Sequence, residues 1–122
     1  MKTIIPNLFI ENTMENLNYY QGIFGGEIKN TVPSRENPER LIHAELHINE
    51  NCVLFFGDRE KSDKSNDTIH IYVKLETDEE IQKIYDNLKT TSTVGYELQK
   101  TFWGSLHAML TDKNGIIWDL DK

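Results

Sequence analysis

The chain is nearly devoid of cysteine: Cys52 is the single one in 122 residues. One thiol excludes an intrachain disulfide framework and a cysteine-based zinc site, and it leaves Cys52 the role expected of a small buried hydrophobe. No apolar run approaches the roughly 18 to 20 residues of a membrane-spanning helix. Nor is there a block of like charge. The net charge is -7, with acids and bases interspersed, which argues against nucleic acid or an anionic membrane as partner. An acidic surface of this kind tolerates cationic ligands. The opening MKTIIPNLFIEN is too short and too polar for a secretory signal, so the expected location is cytoplasmic. The chain also lacks a glycine-rich phosphate loop, a nucleophile elbow and a Cys/His pair. Nothing in it reads as an adenosylmethionine-binding motif.

What is present is an internal echo. In TFWGSLHAMLTDKNGIIWDL, residues 101–120, Leu106, Ala108 and Leu110 alternate with Ser105, His107, Met109 and Thr111. Period-two alternation marks a strand with one packed face. Asp112-Lys113-Asn114-Gly115 supplies a turn in which Asn and Gly accept positive φ, and Ile116 to Leu120 returns as a second strand. His107-Ala108-Met109-Leu110 repeats His43-Ala44-Glu45-Leu46 at a shift of 64 positions (107 minus 43). The same shift carries Thr13, Glu15, Leu17, Tyr20 and Phe24 onto Thr77, Glu79, Ile81, Ile84 and Leu88. A helix and a strand that share one shift point to a duplicated unit.

Taken in order, Ile4 to Ile10 is a strand with Pro6 at its start. Asn12 or Thr13 caps a helix carrying a Leu17, Tyr20, Phe24 stripe, which Gly25-Gly26 ends. Glu27 to Val32 is a second strand. Pro33 to Glu39 is a polar, proline-punctuated loop, a connection or a lid. In Arg40 to Ile48, residues Ile42, Ala44, Leu46 and Ile48 form one face and His43, Glu45 and His47 the other. Cys52 to Gly57 is the fourth strand. The second half repeats this order: strand Ile69 to Leu75 with His70, Tyr72 and Lys74 on one face, a capping box at Thr77 to Glu80, a helix on Ile81, Ile84, Tyr85 and Leu88, then strand Gly95 to Lys100 and the hairpin. The reading is α+β: two βαβββ modules, about 1–57 and 68–122, joined by a linker at 58–67 within one domain. Each sheet keeps one face free of helix, and two such sheets curling together would form a half-barrel cleft.

ENLNYYQGIFGGEI and FWGxxxxMLTDxxG, set in paired βαβββ units, resemble the vicinal oxygen chelate superfamily (glyoxalase, bleomycin resistance and dioxygenase proteins), and most of all its PhnB-like branch. The resemblance implies a homodimer whose units pair into clefts that take a small-molecule ligand, and in metal-dependent members four ligands, two per unit. The second-unit positions match His70 and Asp119, the latter where the family usually has Glu. The first-unit positions fall on Ile5 and on Leu54, or Phe55 after a slip of one. None of these three has ligand chemistry.

Two ligands do not hold a catalytic cation, since catalytic zinc takes three protein ligands and octahedral ions take more. His70 and Asp119 therefore read as a hydrogen-bonded pair, able to orient the imidazole as a general base. The alternative is a divalent-metal lyase, isomerase or dioxygenase that recruits Glu45 or His43. The row His43, Glu45, His47 is either a ligand row or a solvated face. Its members lie roughly 6 to 7 Å apart along the strand, too far for one ion to take all three. Phe9, Leu54, Phe56, Tyr72 and Trp103 are candidates to line an apolar pocket with a few polar groups, or they are core. Trp118 is expected on the helix side with Ile116 and Leu120.

Overall fold

The computed structural model describes residues 1–59 and 68–122. The chain divides into two compact units, Met1–Asp63 and Lys64–Lys122, and each repeats one plan. Unit 1 runs β1 (Asn7–Ile10), α1 (Thr13–Phe24), β2 (Glu27–Pro33), β3 (Leu41–His47), β4 (Val53–Asp58). Unit 2 runs β5 (Ile71–Lys74), α2 (Asp78–Lys89), β6 (Thr93–Lys100), β7 (Leu106–Thr111), β8 (Ile117–Asp121). The sheet orders are β1-β4-β3-β2 and β5-β8-β7-β6, each with one parallel pair and two antiparallel pairs. Both sheets are open, and the α+β reading holds.

Each helix covers one face of its own sheet. In unit 1, Leu17 and Tyr20 of α1 are fully buried against Ala44, Leu46 and Phe56, and the Tyr20 ring stacks on Phe56 at 5.6 Å. In unit 2, Ile81 and Leu88 of α2 pack on Ala108, Leu110, Trp118 and Leu120, all buried. Trp118 and Leu120 thus lie where expected, while Ile116 is only half-buried.

The ends differ from expectation in instructive ways. Asn12 is the residue before α1, but it sits at φ 50° and its side chain caps nothing. Instead Asn16 Nδ2 donates to the carbonyls of Glu11 and Asn12, and Thr13 Oγ1 donates to Ile10 O and Asp58 Oδ1. At α2 the Thr77 cap forms as expected, Glu80 N–H donating to Thr77 Oγ1 at 3.0 Å, while the Glu80 carboxylate reaches one residue further back and accepts from Glu76 N–H at 3.1 Å. Gly26, at φ 94°, lets the chain pass His47, whose carbonyl would lie 2.4 Å from any Cβ there. In the β7–β8 turn only Gly115 takes positive φ, at 84°; Asn114 does not. That is the pattern of a longer turn closed by a left-handed glycine.

Three further expectations shift. Ile42 is 61% exposed and Leu41 is buried in its place. Between the pairs Val32↔His43 and Pro33↔Leu41, β3 carries one extra residue, and a bulge of this kind reverses which side chain faces the helix. Cys52 is exposed because it lies in the turn, where its N–H donates to Asn49 Oδ1. The expected linker begins too early, since Asp58 pairs with Ile10 inside the sheet; residues 60–67 of it lie outside the described residues.

Candidate functional site

The face of each sheet opposite its helix carries the polar and aromatic candidates. On β3, alternation sends Ala44 and Leu46 to the helix and His43, Glu45 and His47 to the open side. The three side chains then gather on one carboxylate. His43 Nε2 lies 2.7 Å from Glu45 Oε2, and His47 Nε2 lies 2.7 Å from Oε1. Asn30 Nδ2 donates to Oε1 at 2.9 Å. Asn30 reaches it from a left-handed bulge in β2, φ 53°. Hydrogen bonding to both histidines, then to Asn30, holds Glu45 down at about 2. Beside it, Phe55 meets the His43 ring edge-on at 4.9 Å, and the half-exposed Phe9 ring lies over Gly57, 2.7 Å from where a Cβ would stand.

Leu54 and Phe56 are not on this face. Both are buried on the helix side, because period two places them opposite Phe55. The register also decides the slip left open by the sequence. Asn7↔Phe55 and Glu45↔Phe55 in unit 1 correspond to Tyr72↔Asp119 and Met109↔Asp119 in unit 2. Phe55, not Leu54, is the structural counterpart of Asp119, and neither residue can ligate.

In unit 2, Asp119 stands on the inner strand β8 between Tyr72 of β5 and Met109 of β7. His70 precedes β5, and its Nδ1 lies 2.9 Å from Asp119 Oδ2. The expected pair is therefore present, with side chains 32% and 20% exposed. Two residues on, Asp121 is nearly buried and takes three partners: Lys74 Nζ at 2.5 Å, His107 Nδ1 at 3.4 Å and the Tyr72 hydroxyl. Lys74 is the main reason its carboxyl sits below the usual range. The hydrogen bond to Asp121 pushes the Tyr72 hydroxyl up, with the charges of Asp121 and Asp119 adding to it.

Sequence reasoning passed over Asp121 and Phe102. Asp121 was masked by its place at the strand end; its two-residue offset from Asp119, matching Tyr72 to Lys74, was the available signal. Phe102 and Trp103 ride on the turn before β7, 98% and 58% exposed, with rings edge to face at 4.8 Å. The turn is fastened by Thr101 N–H and Oγ1 donating to Ser105 O, and by Ser105 N–H donating to Thr101 Oγ1. Trp103 and Tyr96 both approach the His107 ring, at 6.3 and 5.7 Å.

A polar recess of about 570 Å³ lies at the carboxyl ends of β1 and β4, lined by Thr13, Asn37, Glu39, Arg40, Asp58 and Arg59 among others. The loop that was a candidate lid contributes Asn37 and Glu39 to it, and an Arg40–Asp58 ion pair ties its end to β4.

A model of the Glyoxalase/Bleomycin resistance protein/Dioxygenase superfamily matches residues 5–120. The chain belongs to this superfamily. Solved structures with the same fold include a Pseudomonas aeruginosa protein (22% identity, TM-score 0.85, covering 99% of this chain and 97% of that one). A PhnB protein from Bacillus cereus aligns at 23% identity and TM-score 0.83, over 98% of each chain. The fosfomycin resistance protein FosX from Mesorhizobium loti aligns at 10% identity and TM-score 0.68, over 100% and 92%. No curated protein matches the chain.

For a superfamily member, the donor set is incomplete. Of the four positions that the resemblance assigns to metal ligands, Ile5 and Phe55 offer carbon only, and His70 and Asp119 offer two donors. Among the described residues no group of three His, Cys, Asp or Glu side chains is placed to hold a metal ion. These residues do not fit a resident catalytic metal.

Proposed function

We propose that this superfamily member binds a small organic molecule on the open face of its second sheet, working as a homodimer and without the full four-ligand metal site. The observation that carries the reading is the hydrogen-bonded His70–Asp119 pair, partly exposed beside the uncovered Tyr72, while its counterparts Ile5 and Phe55 are apolar. A concave apolar surface with a few convergent polar groups is what small-molecule sites present. The fold is one that also serves a fosfomycin resistance protein.

A second reading shares the same atoms. With Asp119 holding Nδ1, the Nε2 of His70 is oriented as a general base for a bound substrate, as a carboxylate orients an imidazole elsewhere. It requires no metal.

The test is a thermal-shift screen of small organic molecules on chelator-treated protein, paired with a metal assay after addition of Zn, Ni, Mn and Fe. Stabilising ligands that saturate at one per chain with chelator present, and weaken in Asp119→Asn, are expected. Stoichiometric metal that disappears in His70→Ala would overturn the metal-free reading and install the divalent-metal alternative.

A further inference from the structure

We infer that the occupant of this face is an organic cation, a protonated or quaternary amine on an apolar body, held by Asp119 and the neighbouring aromatic rings. The inference rests on the reading that the open face of the second sheet is the binding site, and names the class of ligand.

Charge is the first argument. Among the strands of this sheet the lysines are Lys74 in β5 and Lys100 at the end of β6, with no arginine, and the Lys74 ammonium is engaged by Asp121 at 2.5 Å. Among the described residues Asp119 has no lysine or arginine counter-ion. Its Oδ2 takes His70, and no hydrogen bond falls on Oδ1 among the described residues. The carboxylate is 20% exposed, so a ligand can reach it. The Tyr72 hydroxyl beside it is pushed up chiefly by its hydrogen bond to Asp121 and by burial, with the charges of Asp121 and Asp119 adding to it. With Lys74 and Asp121 offsetting each other, an anion placed here meets the Asp119 carboxylate, while a neutral body gains nothing from it.

Aromatic surface is the second argument. Tyr72 and Trp103 are each 58% exposed and Tyr96 37% exposed, all in the same unit as Asp119. The faces of such rings attract cations, by about 0.5 to 2 kcal/mol each. Rings combined with a carboxylate lacking a permanent counter-ion are the chemistry that recognises an alkylated ammonium. The turn at Thr101–Ser105 is hydrogen-bonded through both backbone and side chain, so the backbone that carries Trp103 is held in place.

The two tryptophans make the test direct. Trp118 is 1% exposed and Trp103 is 58% exposed, so added solutes quench Trp103 selectively. Tryptophan fluorescence of the full chain is titrated with benzyltrimethylammonium, with its neutral isostere neopentylbenzene and with anionic phenylmethanesulfonate. The cation is expected to bind about tenfold more tightly than the neutral isostere. Asp119→Asn, which keeps shape and an acceptor for His70, is expected to erase that preference. Trp103→Phe serves as the fluorescence control. Equal affinity for cation and isostere, or preference for the sulfonate, overturns the inference while leaving the face a binding site. No saturable quenching by any of the three overturns both.

Discussion

Glu45 carries two imidazoles and an amide on a single carboxylate. Its partners all stabilise the charged form, and its value falls from the ordinary 4.5 to about 2. A carboxyl depressed on folding contributes stability that is fully present above its unfolded value and lost as pH falls towards its folded one. Glu45→Gln is therefore expected to lower unfolding stability at pH 7, by about 1 kcal/mol given that the amide keeps some of the contacts. Urea denaturation at a series of pH values should show the gap between wild type and variant closing between pH 4.5 and about 2. A gap independent of pH would mean that the histidines do not depend on the charge. Asp112 acts in a comparable way away from the open face: nearly buried, it accepts from Asn114 N–H, Ile116 N–H and the Trp118 indole N–H. One carboxylate thus shapes the turn and satisfies the largest buried side chain of the unit.

The two helices show how equivalent positions diverge. Both start where the repeated pattern places them, yet only α2 is capped by its own side chains. Thr77→Ala removes an acceptor for Glu80 N–H and is expected to cost about 1 kcal/mol in urea unfolding. Asn12→Gly is expected to be neutral or slightly stabilising, because Asn12 makes no capping bond and its φ of 50° suits glycine better than any side chain. A loss of 1 kcal/mol or more at Asn12 would show that its side chain holds the turn. The sequence carried the capping box, since its members are local. It could not carry the α1 entry, where Thr13 reaches Asp58, 45 residues away. Strand faces were legible wherever alternation was unbroken, as at His43, Glu45 and His47. They were misread at Ile42, because a bulge depends on the partner strand.

For the whole molecule, large apolar side chains remain uncovered, among them Ile4, Ile42, Ile69 and Phe102. With the homodimer proposed above, sedimentation equilibrium is expected to return twice the 14.2 kDa chain mass. A monomer at high micromolar concentration would refute it. Half of the candidate site was legible before any coordinates: His70 and Asp119 came from the resemblance, and their pairing from the chemistry of an imidazole beside a carboxylate. The remainder, Asp121 with its three partners and the fastened Phe102–Trp103 turn, depends on contacts between strands.

By itself the sequence determined the duplicated βαβββ plan and the helix-packed stripes. Those follow from local periodicity and from residue type, which need no knowledge of neighbours. Only the tertiary structure decided which of Leu54 and Phe55 faces the open side, that Glu45 gathers two histidines, and that Asp119 Oδ2 takes His70. Register, bulges and side-chain reach set those outcomes, and each is fixed by what lies across the sheet rather than along the chain.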